Sequence, residues 1–131
     1  MIAGAVYKVY HEVDIVDSGG DVSRNGYLGE FEQMVLLAIL QGGEDANALQ
    51  VRRELETSAG RTVTKGAFYT TLDRLEKKNF LTWKARVPDE GRRGLPQRHF
   101  RVTPQGLDEL RKSRAALVNL WRGLDEVLDT A

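Results

Sequence analysis

Residues 64–79 read TKGAFYTTLDRLEKKN, and residues 80–104 continue FLTWKARVPDEGRRGLPQRHFRVTP. In the first stretch Phe68, Leu72 and Leu75 recur at the i, i+4, i+7 spacing of one buried helical face. That leaves Lys65, Tyr69, Thr70, Arg74 and Lys77 pointing outward. Hydroxyls, an aromatic ring and cations on one exposed face are chemically suited to phosphates and base edges. In the second stretch Leu81, Trp83, Ala85 and Val87 alternate with Thr82, Lys84 and Arg86, as in a half-buried strand. PDEGRRGLPQ, residues 88–97, is too rich in Gly and Pro to continue it, and RHFRV at 98–102 reads as the returning strand, with Phe100 and Val102 inward. Trp83 is expected in the core beneath this hairpin. A helix followed by a basic hairpin predicts a winged helix directed at DNA.

Upstream, LGEFEQMVLLAILQGG at 28–43 places Phe31, Met34, Val35, Leu37, Ala38 and Leu40 around nearly the whole helix circumference. A helix tolerates this only when two sides are buried, one by its own core and one by a partner. Gly42-Gly43 stops it, and Asp45 is the expected N-cap of ANALQVRRELETSAG, with Leu49 or Val51 and Leu55 inward. Gly60 ends that second helix, Thr64 caps the third, and Asn79 tolerates the left-handed conformation just past its end. The fold class expected is mainly α with a small β-wing, an α+β winged helix-turn-helix over 28–103.

Thr103-Pro104 is a strong helix start, a hydroxyl cap followed by a proline whose missing N–H costs nothing there. The helix is expected to run to about Leu128, making 104–131 a C-terminal dimerisation helix. Leu107, Leu110, Leu117, Trp121, Leu124 and Leu128 fall on three-four spacing interrupted by Arg114, a coiled-coil seam. The expected dimer contacts are Phe31 and Val35 on the first helix and Leu110, Leu117, Trp121, Leu124 and Leu128 on the last. A twofold dimer would set two recognition helices about one DNA turn, ~34 Å, apart. Trp121 has two readings: a plain interface filler, or one of two symmetry-related rings that sandwich a flat or cationic effector.

Residues 1–27 form a separate extension, in which Tyr7, Val9, His11, Val13 and Ile15 alternate before the Gly-rich DSGGDVSRNG. It reads equally as an edge strand, an arm or a start-site extension, and carries no assigned role.

The 131 residues and 41% apolar content suit one domain of ordinary size. A formal net charge of zero conceals a division: residues 61–101 hold eleven Lys and Arg against four Asp and Glu, leaving 8 basic and 15 acidic residues elsewhere. Such a chain can offer a basic face to a polyanion and keep the rest acidic. There is no cysteine, and the two histidines are 88 positions apart, so no metal or other cofactor is expected. No apolar run approaches the roughly 20 residues of a membrane span, and the start does not read as a secretory signal. A cytoplasmic protein is therefore expected. No nucleophile, acid–base or phosphate-loop constellation is visible, so an enzyme is not expected.

LGEFEQMVLLAIL, GAFYTTLDRLEKKNFL and RHFRVTPQGLDEL together resemble the PadR family of bacterial winged-helix transcriptional regulators, in the group with one short C-terminal helix. The resemblance covers about residues 28–125. Its most specific part is Gly66, Tyr69, Leu72, Arg74, Leu75 and Glu76, followed by the aromatic strand, Thr103-Pro104 and Gly106. It implies a homodimer held by the first and last helices, which represses promoters containing an inverted repeat and often responds to small aromatic or cationic compounds. Two departures stand out: Asn47-Ala48 occupies the place of an aromatic-glycine pair, and Asn79 that of a glycine.

The expected DNA contacts are Thr64, Lys65 and Gly66 toward a phosphate at a helix start, and Tyr69, Thr70 and Arg74 in the groove. Arg74 reads as either a two-bond guanine contact or a phosphate contact. Arg92, Arg93 and Arg98 are expected to act mainly through phosphates, Arg92 and Arg93 from the loop tip. Two rival functions stay open at this level: a winged-helix module for an acidic protein partner, and a sequence-independent DNA-binding protein.

Overall fold

Cap chemistry determines where the helices begin. The computed structural model describes residues 26–87 and 94–129; the expectations for residues 1–25 and for Arg92 and Arg93 fall outside them. Helix α1 spans Glu30–Gly42, a single 3-10 turn follows at Gly43–Asp45, α2 spans Ala48–Ala59 and α3 Lys65–Lys77. Strands β1, Leu81–Arg86, and β2, Gln97–Val102, form one antiparallel hairpin that pairs Leu81 with Val102 and Arg86 with Gln97. Helix α4, Pro104–Trp121, and a short α5, Asp125–Asp129, complete the order. The result is a mainly helical winged helix.

Thr64 Oγ1 accepts the Ala67 N–H at 3.1 Å and Thr103 Oγ1 accepts the Gly106 N–H at 3.0 Å, satisfying one free donor at each helix start. Gly60 (φ 62°) and Asn79 (φ 68°) take left-handed conformations after α2 and α3. The cap of α2 differs from expectation. Asn47, not Asp45, caps it, with its Oδ1 accepting the Gln50 N–H at 2.8 Å, because Gly43–Asp45 is taken up by the 3-10 turn.

Helix α1 packs on α2, α3 and β2, and the core lies between them. Val35, Leu36 and Ile39 of α1 meet Val51 and Leu55 of α2, Phe68, Leu72 and Leu75 of α3, and Leu81, Phe100 and Val102 at the wing base. Burying each of these side chains contributes about 1.5–3 kcal/mol relative to exposure. Val35 is therefore a correction: it is 0% exposed inside its own protomer and faces no partner. Leu110 and Leu107 also pack partly on that core, so the near half of the expected seam already has an occupant. Leu49 is exposed, leaving Val51 and Leu55 as the inward residues of α2.

Trp83 is a second correction. In β1 only Leu81 is buried, and Trp83 remains 37% exposed. A two-stranded ribbon projects beyond the helices, so alternation along it no longer separates core from solvent. The last helix is a third. It ends at Trp121, and Gly123 at φ 79° turns the chain before α5. Leu124 and Leu128 thus fall beyond the end of the α4 axis, and the seam is not continuous.

Helix α4 is seated against the chain leaving α3. The Thr103 N–H bonds the Phe80 carbonyl at 3.1 Å, and Thr103 Oγ1 donates to the Asn79 carbonyl at 2.7 Å. Gly106 faces the same carbonyl; a Cβ there would collide with the Phe80 oxygen and lie 2.8 Å from Val102 Cγ1. Farther along α4, Glu109 and Ser113 are buried, and burial pushes the Glu109 carboxyl above the usual range even though Lys112 Nζ approaches Oε1 at 3.4 Å.

Two outcomes follow. Gly106→Ala should lose about 1–3 kcal/mol by forcing backbone apart, read in thermal melts as roughly 4–8 °C of Tm per kcal/mol. For Glu109, a raised carboxyl pKa means the folded state holds the proton more tightly, so its contribution is present at low pH and lost as pH rises through the folded value. Glu109→Gln should consequently melt higher than wild type at pH 7, with the difference shrinking toward zero near pH ~4, where the unfolded carboxyl also protonates.

Candidate nucleic-acid interface

The exposed side of α3 is built from its start. Capping by Thr64 leaves Lys65 and Gly66 at the first turn, both exposed, where free N–H groups and the helix dipole favour an anion. Nothing lies within 4 Å of the position a Gly66 Cβ would take, so the backbone is open to solvent there. One turn on, Thr70 is exposed, whereas Thr71 turns inward and donates to the Ala67 carbonyl at 2.9 Å. Tyr69 is half-buried and meets Phe68 edge-on at 5.4 Å between ring centroids. Arg74 is half-buried, near the helix end.

Beside this face lies a cleft of about 410 Å³ between α2, α3 and β2. It gathers Lys65 and Tyr69, expected from sequence, with Arg98 of the wing and with Arg52 of α2. Arg52 was not foreseen. It reads in sequence as one more surface cation after Val51; only the packing of α2 across α3 brings it here, its guanidinium 5.9 Å from the Phe68 ring centroid. Asn47 and Gln97 close the end, with Asn47 Nδ2 donating to Gln97 Oε1 at 3.3 Å. Lys65 and Arg52 thus line one concavity, with Arg98 against the aromatic rings at its wing side, and the two cations suit an oxyanion such as a backbone phosphate.

The wing carries its own order. Arg98 lies over three rings, 5.1 Å from Trp83, 5.6 Å from Phe100 and 5.7 Å from Tyr69. Trp83 Nε1 donates to Glu76 Oε2 at 3.2 Å, tying β1 to α3. On the opposite side, Arg86 Nη1 and His99 Nδ1 both donate to the Glu44 carbonyl at 2.9 Å, and the Phe100 N–H bonds the Ala46 carbonyl at 2.9 Å. His99 is thereby a structural donor at the wing base.

A second surface has different chemistry. Leu37 and Leu40 of α1 and Leu110, Leu117, Val118 and Trp121 of α4 line an apolar groove of about 560 Å³. Leu117 and Trp121 are 50% and 47% exposed, so half of each ring or chain lacks cover within the protomer. Phe31 sits apart, half-buried under Arg61 at 5.0 Å. Among the described residues, no group of three His, Cys, Asp or Glu could hold a metal ion, and no helix is long and apolar enough to cross a membrane.

Residues 36–112, more than half of the chain, match the family described as Transcriptional regulator PadR-like family. The chain belongs to this family. No curated protein matches it in sequence. Among solved structures, a PadR-like transcription factor from Bacteroides fragilis is 24% identical over 76% of this chain and 87% of its own, with a TM-score of 0.53. The protein hsRosR-S4, in a complex structure, is 22% identical over 79% of this chain and 84% of its own, with a TM-score of 0.57. TA0346 from Thermoplasma acidophilum is 16% identical over 75% and 92%, with a TM-score of 0.54. These likenesses carry the fold. The PadR-like assignment makes the chain a member of a transcription-regulator family.

Gly66 separates folding from contact. Gly66→Ala should leave Tm unchanged or raise it slightly, since Ala favours a helix by up to about 1 kcal/mol. It should weaken DNA binding about tenfold, or ~1.4 kcal/mol, by holding a phosphate away from the α3 start. Thermal melts and anisotropy titrations of the same sample check both halves.

Proposed function

We propose that this PadR-like protein is a dimeric repressor that reads an inverted-repeat operator, with α3 in the major groove and the wing along the flanking backbone. The observation that carries the reading is the approach of Lys65 and Arg52 to one cleft beside the open start of α3. Thr64, Lys65 and Gly66 hold a phosphate; Tyr69, Thr70 and Arg74 supply the groove contacts; Arg92 and Arg93 extend the basic surface along the DNA. The domain division follows the same roles, 28–103 binding DNA and 104–131 associating the protomers.

The dimer forms through the apolar groove between α1 and α4. Leu117 and Trp121, together with Leu37 and Leu40, are the side chains with surface to cover. Leu124 and Leu128, also exposed, extend this surface past the turn at Gly123. An effector that is aromatic or cationic stacks on Trp121 near the twofold axis and changes the spacing of the two α3 helices, relieving repression. The protein acts in the cytoplasm, where its DNA is.

Fluorescence anisotropy tests this reading, using duplex from the gene's own upstream region and a scrambled duplex over a salt series. Wild type should prefer the upstream duplex by about a hundredfold or more. Lys65→Ala should reduce the log–log salt slope by about 0.9, one phosphate's worth, and Leu117→Glu should sediment as a monomer and lose the preference. Equal, steeply salt-dependent binding of both duplexes would instead indicate an architectural protein. No binding to either would move the function to a protein partner.

A further inference from the structure

Arg98 looks from sequence like one more phosphate ligand, yet its surroundings are aromatic. Its guanidinium lies within 5.1–5.7 Å of the ring centroids of Trp83, Phe100 and Tyr69. Two of those rings belong to the wing and the third to α3. Among the described residues no carboxylate is within ion-pair distance of Arg98. A cation this close to three rings is drawn toward each of them, because the ring quadrupoles attract it. The arrangement spans the joint between the two elements that would meet DNA.

A second strut crosses the same joint. Trp83 Nε1 donates to Glu76 Oε2 at 3.2 Å, from β1 to the outer face of α3. The backbone holds the wing on its α2 side, where the Phe100 N–H bonds the Ala46 carbonyl and His99 bridges Asn47, whereas toward α3 every residue of β1 beyond Leu81 is exposed. On the α3 side, the ring cluster and the Glu76–Trp83 bond tie the exposed part of β1 to the helix.

We propose that Arg98 is a positioning residue: packed among Tyr69, Trp83 and Phe100, and supported by the Glu76–Trp83 hydrogen bond, it sets the angle between the wing and α3. That angle decides which separation of major-groove bases and flanking backbone the protomer can contact together, and hence which operators fit. The proposal rests on the DNA-reading function above. It differs from a phosphate contact in what removal of the side chain does. Losing a phosphate ligand weakens all duplexes alike and lowers the salt slope; losing a positioning residue weakens the fitting operator and leaves the slope intact.

The experiment uses the full chain with Arg98→Ala and Arg98→Lys. Anisotropy titrations against upstream and scrambled duplexes over a salt series should show about a tenfold loss for the upstream duplex, with scrambled-duplex affinity and salt slope unchanged. Lys should behave like Ala, since a compact, strongly hydrated ammonium does not fill the space of a guanidinium among the three rings. In DNA-free protein, the indole N–H resonance of Trp83, assigned with Trp83→Phe, should shift in both variants. The proposal is overturned if the slope falls by about 0.9 with both duplexes weakened equally, if Lys retains full operator affinity, or if the Trp83 resonance stays in place. Should wild type itself fail to distinguish the duplexes, the operator-reading function falls, and the DNA-free resonance still decides whether Arg98 holds the joint.

Discussion

Lys78 and Glu32 form an ion pair of 2.7 Å that is almost wholly shielded from water, the two side chains being 1% and 5% exposed. A charge buried alone is costly by several kcal/mol, so each of these groups is tolerable only where the other meets it. The pair therefore permits one placement of the end of α3 against the start of α1, across 46 residues of sequence. Glu32 also accepts the Gly29 N–H at 3.1 Å through its other oxygen, so the same carboxylate caps α1. From that anchor the remaining order follows: Asn79 turns left-handed, Phe80 presents its carbonyl, and Thr103 and Gly106 seat α4 upon it.

The same linkage runs from α3 to α4. Helix α3 ends at Lys77 with Lys78 as its C-cap, and α4, which carries the apolar groove residues Leu117 and Trp121, packs against the turn that follows. Glu109 and Ser113 are buried on α4, and Lys78 lies close enough to lower the carboxyl of Glu109 against the larger rise from burial. Ser113 Oγ has no hydrogen-bond partner among the described residues. A polar cluster between helices is sensitive to small displacements, because geometry decides whether its charges are compensated.

Charge and apolar surface are separated in space. Lys65, Arg52 and Arg98 surround the cleft beside α3, whereas the groove between α1 and α4 is lined mainly by leucines, valine and tryptophan. A neutral chain can therefore hold a basic face for a polyanion and an apolar face for association, neither obstructing the other.

By itself the sequence determined the local elements: the spacing of Phe68, Leu72 and Leu75, the caps Thr64 and Thr103, the stops at Gly60 and Asn79, and the hairpin of the wing. Such features depend on neighbours within a turn or on the adjoining strand, so a linear reading reaches them. The family resemblance was legible for the same reason, as an ordered set of local motifs. Tertiary structure alone decided what depends on distant partners. It placed Val35 inside its own core, left Trp83 at the rim under Arg98, brought Arg52 to Lys65, and paired Lys78 with Glu32. In sequence Lys78 is one of two adjacent lysines with nothing to distinguish it, because burial of a charge is a property of the partner 46 residues away. Gly123, by contrast, stands in the sequence within a regular three-four spacing, and its positive φ ends the seam that this spacing predicts.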